Sequence, residues 1–324
     1  MKCIMCNNKD FKGPLFTVRD RFNLTKKDYY VFSCKVCKTL LINPLPDEEE
    51  ILNLYPKDYT FKLFDKNVDG KVRKLIKNIE YNFFYKAIYK RNYKIISKKL
   101  GKKQFSIFDI GCGNAHRLKI FSEFGCEVYG SEVSKEDVEY ARNNLGIEVF
   151  YGTLEQVINN IDKKFDVVSL FSVFEHLKHP YMEINIVNKL LKKDGLLVIQ
   201  VPVINTIQYI LLGKYCFSIR EMPRHLFIPS ISGLKIFMNN LNFELMDYKP
   251  VSFIECSSLF SLGIFWKSNS CVVYQQNKNN ISSLIKRFIG WSLSVIPGSF
   301  IGFIELLRGV GIESIFIFRK KLND

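Results

Sequence analysis

The chain has 324 residues, 47 % of them hydrophobic, and 47 Lys and Arg against 32 Asp and Glu, for a net charge of +15 at pH 7. That is enough chain and apolar content for one large domain or two smaller ones, and no internal repeat or low-complexity tract argues for a solenoid or a disordered tail. The charge implies attraction to something acidic: nucleic acid, anionic lipid or a phosphorylated substrate.

The opening MKCIMCNNKD has no apolar run, so no secretory signal is expected. Nine cysteines without such a signal point to a reducing, cytoplasmic compartment, with thiols free or metal-bound. Residues 1–43 begin with Cys3-x-x-Cys6 and end with Cys34-x-x-Cys37, with 27 residues between the pairs. Two such knuckles match a four-thiolate zinc ribbon, each gripping one side of a tetrahedral ion. Few large apolar residues lie between them, so the module needs a metal staple. A closed four-cysteine site has no open position, so its expected role is structural.

Residues 44–104 read as a connector and a basic helix. The run NPLPDEEEILNLYPKDYT carries a short acidic helix and two tyrosines, Tyr55 and Tyr59. Over 70–100 one long helix is predicted, with Val72, Leu75, Ile76, Ile79 and Phe83 at helical spacing and Lys and Arg on the other face. Between Thr60 and Gln104 there are 14 basic and 3 acidic residues, a local excess of +11. A solvated charged face and a binding surface for phosphate or anionic lipid both fit that excess.

The stretch Phe105–Leu118, FSIFDIGCGNAHRL, is a predicted buried strand running into a glycine turn and a helix. Gly111 and Gly113 lack a Cβ, so the backbone can turn sharply and a ligand can approach it closely. Glu132 follows the next predicted strand, where a carboxylate is placed to accept from two ribose hydroxyls. In the dinucleotide fingerprint the third glycine would fall on His116, which argues against that cofactor. Onward to residue 250, strands alternate with helices: strands at 105–110, 126–131, 147–150, 165–171, 195–201 and 243–249, and helices at 114–124, 134–144, 153–160, 180–192 and 230–240. Such alternation predicts an α/β sheet, mostly parallel, with helices on both faces.

Asp109-Ile-Gly-Cys-Gly113, with the later FDVVSLFSVFEHLKHP and Glu221-Met-Pro-Arg-His-Leu-Phe-Ile-Pro-Ser230, resembles the class I S-adenosylmethionine-dependent methyltransferases, in particular those with an N-terminal four-cysteine zinc module that serve glycan and sugar pathways. The resemblance implies a Rossmann-like seven-stranded sheet, parallel with one antiparallel strand, whose core spans 105–250 and whose last strand lies in 311–324. It implies cofactor contacts from Asp109, Gly111, Cys112, Gly113, Glu132 and Val133, an adenine side at Thr153 and Leu154, and a methionine end at Phe171 and Ser172. Thr153 stands where the family usually has an acid. It also implies that the N-P…Y…Y segment helps cover the cofactor.

Residues 251–310 form an apolar insertion, read as a helical lid or as a surface that dips into a bilayer. Phe288–Ile304 runs 17 residues without a charge, short of a span and broken by Pro297-Gly298. If the acceptor is a hydroxyl, a base must take its proton, and histidine suits that role near neutral pH. Of four histidines, His225 and His176 are the candidate bases, while His116 is expected to line the cofactor and His179 to be structural. Glu221 or Arg224 could orient His225 or bind an acidic substrate group. The function so implied is O-methylation of a small molecule, sugar or lipid-linked glycan, with S-adenosylmethionine as cofactor, structural zinc and peripheral membrane contact. An RNA methyltransferase and a non-catalytic cofactor-binding scaffold are the alternatives.

Overall fold

The computed structural model describes residues 1–55, 86–251 and 297–321. The expected helix positions before residue 86, Tyr59 and most of the 251–310 insertion lie outside these residues. The chain divides into two compact units. One comprises Met1–Pro56, Val201–Asn240 and Tyr248–Ser314, the other Lys57–Gln200, Leu241–Asp247 and Ile315–Asp324.

In the first unit, β1 (Phe11–Val18), β2 (Tyr29–Cys34) and β3 (Leu40–Asn43) form an antiparallel ribbon. Alternate residues Tyr29 and Val31 are buried on β2, as the two-residue strand period requires. The helix Glu48–Asn53 follows, opened by a capping box in which Asp47 and Glu50 satisfy each other's backbone N–H groups.

The second unit is built on a sheet. The strands β4 (Ser106–Ile110), β5 (Glu127–Glu132), β6 (Glu148–Tyr151), β7 (Phe165–Phe171) and β8 (Leu191–Pro202) pair in parallel in the order β8-β7-β4-β5-β6. β4 and β7 are buried at every residue, because central parallel strands are covered on both faces. Phe227–Ile228 is β9, a short strand of the first unit's sheet. β10 (Phe243–Pro250) and β11 (Glu313–Lys320) complete the seven-stranded sheet in the order β10-β11-β8-β7-β4-β5-β6. The sheet is mostly parallel with an antiparallel pair, as expected.

The junction Lys193-Asp194-Gly195, between the predicted helix 180–192 and the predicted strand 195–201, is a bulge inside β8. Phe165 pairs with Leu191 and Val167 already pairs with Leu196, so the intervening residues of β8 loop out of register. At this end of the sheet Asp166 accepts from the Ser106 N–H at 2.8 Å, from Lys102 at 2.7 Å and from Lys192 at 3.0 Å. Burial alone would raise its carboxyl, but these bonds outweigh it and hold the pKa well below the ordinary carboxylate range. The helix Lys86–Leu100 buries Asn92, Tyr93 and Ile96. Tyr93 stacks on Phe124 with centroids 4.2 Å apart and meets Phe121 edge-on, which fixes this helix beside His116–Glu123.

Candidate active site

The chain runs β4, β5, β6 to one side and then β7, β8 to the other, so the strand order reverses at β4. In open parallel sheets ligands bind beyond the carboxyl ends at such a reversal. The expected cofactor residues cluster there. Asp109 is the next-to-last residue of β4, which runs on into the loop Gly111–Asn114; β5 ends in Glu132, and β7 ends in Phe171, with Ser172 directly after it.

The loop is held in a sequence of left-handed backbone turns, with φ of 64° at Gly111, 55° at Gly113 and 60° at Ala115. At Gly111 a Cβ would also stand 2.7 Å from a Val173 methyl, so the first glycine serves a close approach as well as a turn. On β5 a Cβ at Gly130 would lie 2.7 Å from the Cys112 sulfur and 3.0 Å from the Asp109 carbonyl oxygen. Gly130 therefore lets the loop rest on β5. Nothing in the sequence around it gave that away, since its partner Asp109 is set by strand register.

Glu132 locks the loop from the other side. One carboxylate oxygen accepts from the Gly113 N–H at 2.8 Å, and the other accepts from Val133 at 2.8 Å and Ser134 at 2.9 Å. Burial raises its pKa, and the three backbone donors partly offset that. Asp109 is buried, and Oδ1 accepts from the Ser169 hydroxyl at 2.7 Å. Its Oδ2 is buried with no hydrogen-bond partner among the described residues. Burial pushes the carboxyl up to about 7, with the Arg117 charge and the Ser169 bond pulling the other way.

Arg117 is the residue that sequence reasoning missed. Its guanidinium lies 4.2 Å from the Phe171 ring centroid and 4.9 Å from that of Tyr89. Its Nε is buried without a hydrogen-bond partner among the described residues. The lone signal was a basic residue in the first turn of the helix after the glycine loop. An orphaned carboxylate oxygen, an orphaned guanidinium nitrogen and a loop opened by two glycines fit a ligand carrying both charges and a sugar, as S-adenosylmethionine does.

The other expected contacts are placed around this loop. Val133 is exposed and Leu154 is buried. Thr153 opens the helix Leu154–Val157, accepting from the Gln156 N–H at 3.4 Å while Gln156 accepts from the Thr153 N–H at 2.9 Å. Its hydroxyl is thus used as a helix cap. Ser172 has φ of 59° and donates its N–H to the Gln200 carbonyl at 2.8 Å, and Asn92 holds the Gln200 side chain at 3.1 Å. His116 lies beside Tyr140 with Nε2 at 3.4 Å from the hydroxyl, and burial pushes its pKa down to about 4. His176 is half-buried after β7, 4.0 Å from the buried Glu175 carboxylate.

His225 lies in the other unit and is buried, with Nδ1 at 2.8 Å from the Ser218 carbonyl oxygen. Burial first, then the Arg224 and Arg21 charges, push its pKa down to about 3, although the Ser218 bond opposes this. Arg224 is committed to Glu221 and Asp20. Arg224 Nη1 donates to Asp20, Nε reaches Glu221 at 3.3 Å, and Arg21 holds the second Glu221 oxygen at 2.8 Å. This network ties the segment 221–225 to the chain's first residues.

The four cysteines of that unit come together. Cys3 and Cys37 have sulfurs 3.5 Å apart, as do Cys6 and Cys34, and all four lie within 4.8 Å of one another. A disulfide needs about 2.05 Å, whereas zinc–sulfur bonds of about 2.3 Å give tetrahedral edges of about 3.8 Å. The donor set therefore fits zinc. Thr39 accepts from the Cys37 sulfur at 3.3 Å, and the Asn8 amide points at Cys34 at 3.8 Å. β9 pairs with β3 as the fourth strand of this sheet, and Ser230 and Ser232 both donate to the Cys37 carbonyl oxygen. The ribbon is thus completed by chain nearly two hundred residues away in sequence.

Comparison with known proteins gives a match of residues 64–248 to a family described as a methyltransferase domain. A ubiquinone biosynthesis O-methyltransferase of Actinobacillus pleuropneumoniae serotype 5b is 32 % identical over 106 residues, covering 30 % of this chain and 44 % of that protein. Its Pelagibacter ubique counterpart is 31 % identical over 102 residues, covering 30 % and 42 %. The chain thus aligns with less than half the length of these relatives. Among solved structures, coclaurine N-methyltransferase bound to N-methylheliamine and SAH has a TM-score of 0.45 at 18 % identity, covering 72 % of both chains. A plantazolicin methyltransferase in complex with a triazolic desmethylPZN analogue and SAH has a TM-score of 0.46 at 13 % identity, covering 78 % of this chain and 92 % of that one.

Proposed function

The chain belongs to this methyltransferase domain family, and from that premise we propose that it transfers a methyl group from S-adenosylmethionine to a hydroxyl of a small-molecule, sugar or lipid-linked glycan acceptor. The observation that carries the proposal is the cradle at the ends of β4 and β5, where Glu132 pins the Gly113 N–H and Asp109 keeps a buried oxygen without a partner among the described residues. Asp109, Gly111, Cys112, Gly113, Glu132 and Val133 would hold the cofactor, with Thr153 and Leu154 toward the adenine and Phe171, Ser172 and Arg117 toward the methionine end. When bound, it supplies a methyl group on a sulfonium, an electrophile with a good leaving group. The protein's part is to align the acceptor oxygen and keep water out. O-Methylation is supported by the names of the relatives.

In this reading His225 takes the acceptor proton, with His176 the second candidate. A carbonyl oxygen only accepts, so the Nδ1 facing Ser218 carries the hydrogen and Nε2 is the basic nitrogen. Burial keeps the ring neutral at physiological pH and, with its pKa pushed down to about 3, makes it a weak base, so in this reading the proton moves only as the acceptor oxygen bonds to the methyl carbon and its hydrogen becomes strongly acidic. Zinc on Cys3, Cys6, Cys34 and Cys37 is structural in this reading.

The test is calorimetric titration with S-adenosylmethionine, beside Glu132→Ala. Micromolar binding by the wild type, weakened at least about tenfold in the variant through loss of a charge-accepted hydrogen-bond set, supports the cofactor. Mass-spectrometric methyl transfer is then read on phenols, sugar nucleotides and lipid-linked sugars. A folded, zinc-loaded wild type that does not bind S-adenosylmethionine refutes the proposal, and binding without turnover on any acceptor favours a scaffold.

A further inference from the structure

The helix at 297–307 is inside out. Gly298, Gly302 and its lone acid, Glu305, face inward and are buried, while Phe300, Phe303, Leu306 and Leu307 are 65, 52, 37 and 72 % exposed. Spacings of three and four put these four side chains on one face. A helix covering a water-soluble core turns the opposite face outward.

The inward face is fixed by a specific bond. One Glu305 oxygen accepts from the Gln208 N–H at 3.2 Å and the other from the Gln208 side-chain amide at 3.0 Å. That contact docks the helix against Ile207–Leu212, in the same unit. There Gln208 and Leu212 are buried, and Ile210 and Leu211 face outward at 73 and 51 % exposure. Two neighbouring helices therefore present six large apolar side chains to the outside.

The exposed charges of the two segments that carry them have one sign. The segments 203–220 and 297–312 contain Lys214, Arg220 and Arg308, and their single acid is the buried Glu305. Lys214 lies 5.4 Å from the centroid of the Tyr215 ring, a pairing of basic and amphipathic aromatic side chains suited to a headgroup layer. In sequence, Phe288–Ile304 is uncharged and includes Trp291, with Lys286 and Arg287 before it. No helix among the described residues is long and apolar enough to cross a membrane.

We propose that this face docks on the surface of an anionic lipid bilayer, with Ile210, Leu211, Phe300, Phe303, Leu306 and Leu307 in the acyl boundary and Lys214 and Arg308 at the headgroups. Apolar side chains outward, with basic residues and no exposed acid in the segments 203–220 and 297–312, match what an interfacial helix requires. The inference stands apart from the proposed reaction, since vesicle binding needs neither cofactor nor acceptor.

The experiment is flotation of the zinc-loaded full chain with vesicles of phosphatidylcholine alone and with phosphatidylglycerol added. Phe300→Ser/Phe303→Ser and Lys214→Gln/Arg308→Gln are run in parallel, with circular dichroism and melting to verify folding. The wild type is expected to float with phosphatidylglycerol vesicles. The aromatic pair should weaken binding about tenfold or more, as loss of two buried rings implies, and the basic pair should weaken it and flatten its salt dependence. The inference is overturned if the wild type does not bind either vesicle, or if the aromatic variant binds as well as the wild type. It is equally overturned if the wild type is a dimer that the aromatic variant dissociates, or if that variant melts well below the wild type, because then protein already covers the face.

Discussion

Asp109 makes the folded protein bind a proton that the unfolded chain would have released. Its carboxyl is buried, with one oxygen bonded to Ser169 and the other without a partner among the described residues, and its pKa is pushed from 3.8 to about 7. A pKa raised on folding gives stability that is complete below the unfolded value and is lost as pH rises through the folded one. Each pH unit in that window is worth about 1.4 kcal/mol. From pH 5 to pH 7 the cofactor-free protein should therefore lose about 2 kcal/mol relative to Asp109→Asn, which cannot ionise. His116 and His225, whose pKa values are depressed, act in the opposite direction: they cost stability as pH falls through the ordinary histidine range. Their contribution is common to both proteins and cancels in the difference. The assay is urea denaturation at pH 5, 6, 7 and 8, read on the transition that S-adenosylhomocysteine shifts. Parallel pH profiles for wild type and variant would refute the reasoning, because they would mean that Asp109 is ionised and solvated in the folded state.

Three further outcomes are expected. Gly111→Ala adds a methyl 2.7 Å from Val173 at φ of 64°, so it should cost about 1–3 kcal/mol; Val173→Ala in the same chain should recover part of the loss in thermal melting and in cofactor affinity, and failure to recover any would place the cost elsewhere. Purified protein should carry one zinc per chain by elemental analysis, and chelation or Cys34→Ser should remove hydrogen-exchange protection from 227–234 as well as from the ribbon, since β9 and Ser230 are bonded to it; loss confined to the ribbon would contradict that coupling. His225→Gln should lower kcat about a hundredfold or more with little change in cofactor affinity, while an unaltered kcat would remove His225 from proton transfer and leave His176 to be tested the same way.

The cofactor end of the fold was legible because its signals are local. A strand, a turn needing residues without a Cβ and a helix must follow one another in sequence, so Asp109, Gly111, Gly113 and Glu132 could be read in order. The cysteine pairs were legible for the same reason, since each knuckle sits on four consecutive residues. What partners these groups across the fold was not. Gly130 is explained only by the register of β5 on β4, Arg117 by the rings of Tyr89 and Phe171 that come from elsewhere in the chain, and the bulge at 192–195 by the mismatch between β7 and β8. Thr153 reads as a cofactor contact in sequence and is a helix cap in the structure, since capping depends on where the backbone turns. The sequence alone thus determined what consecutive residues can carry: two cysteine knuckles, a glycine loop after a buried strand and an acid at the end of the next strand. Only the tertiary structure decided that a strand from 227–228 completes the ribbon, that Asp20 and Glu221 neutralise Arg224, and that the helix at 297–307 turns its phenylalanines outward. Contacts between distant residues cost chain entropy to form and are chosen by the packing of the whole unit, which no local pattern records.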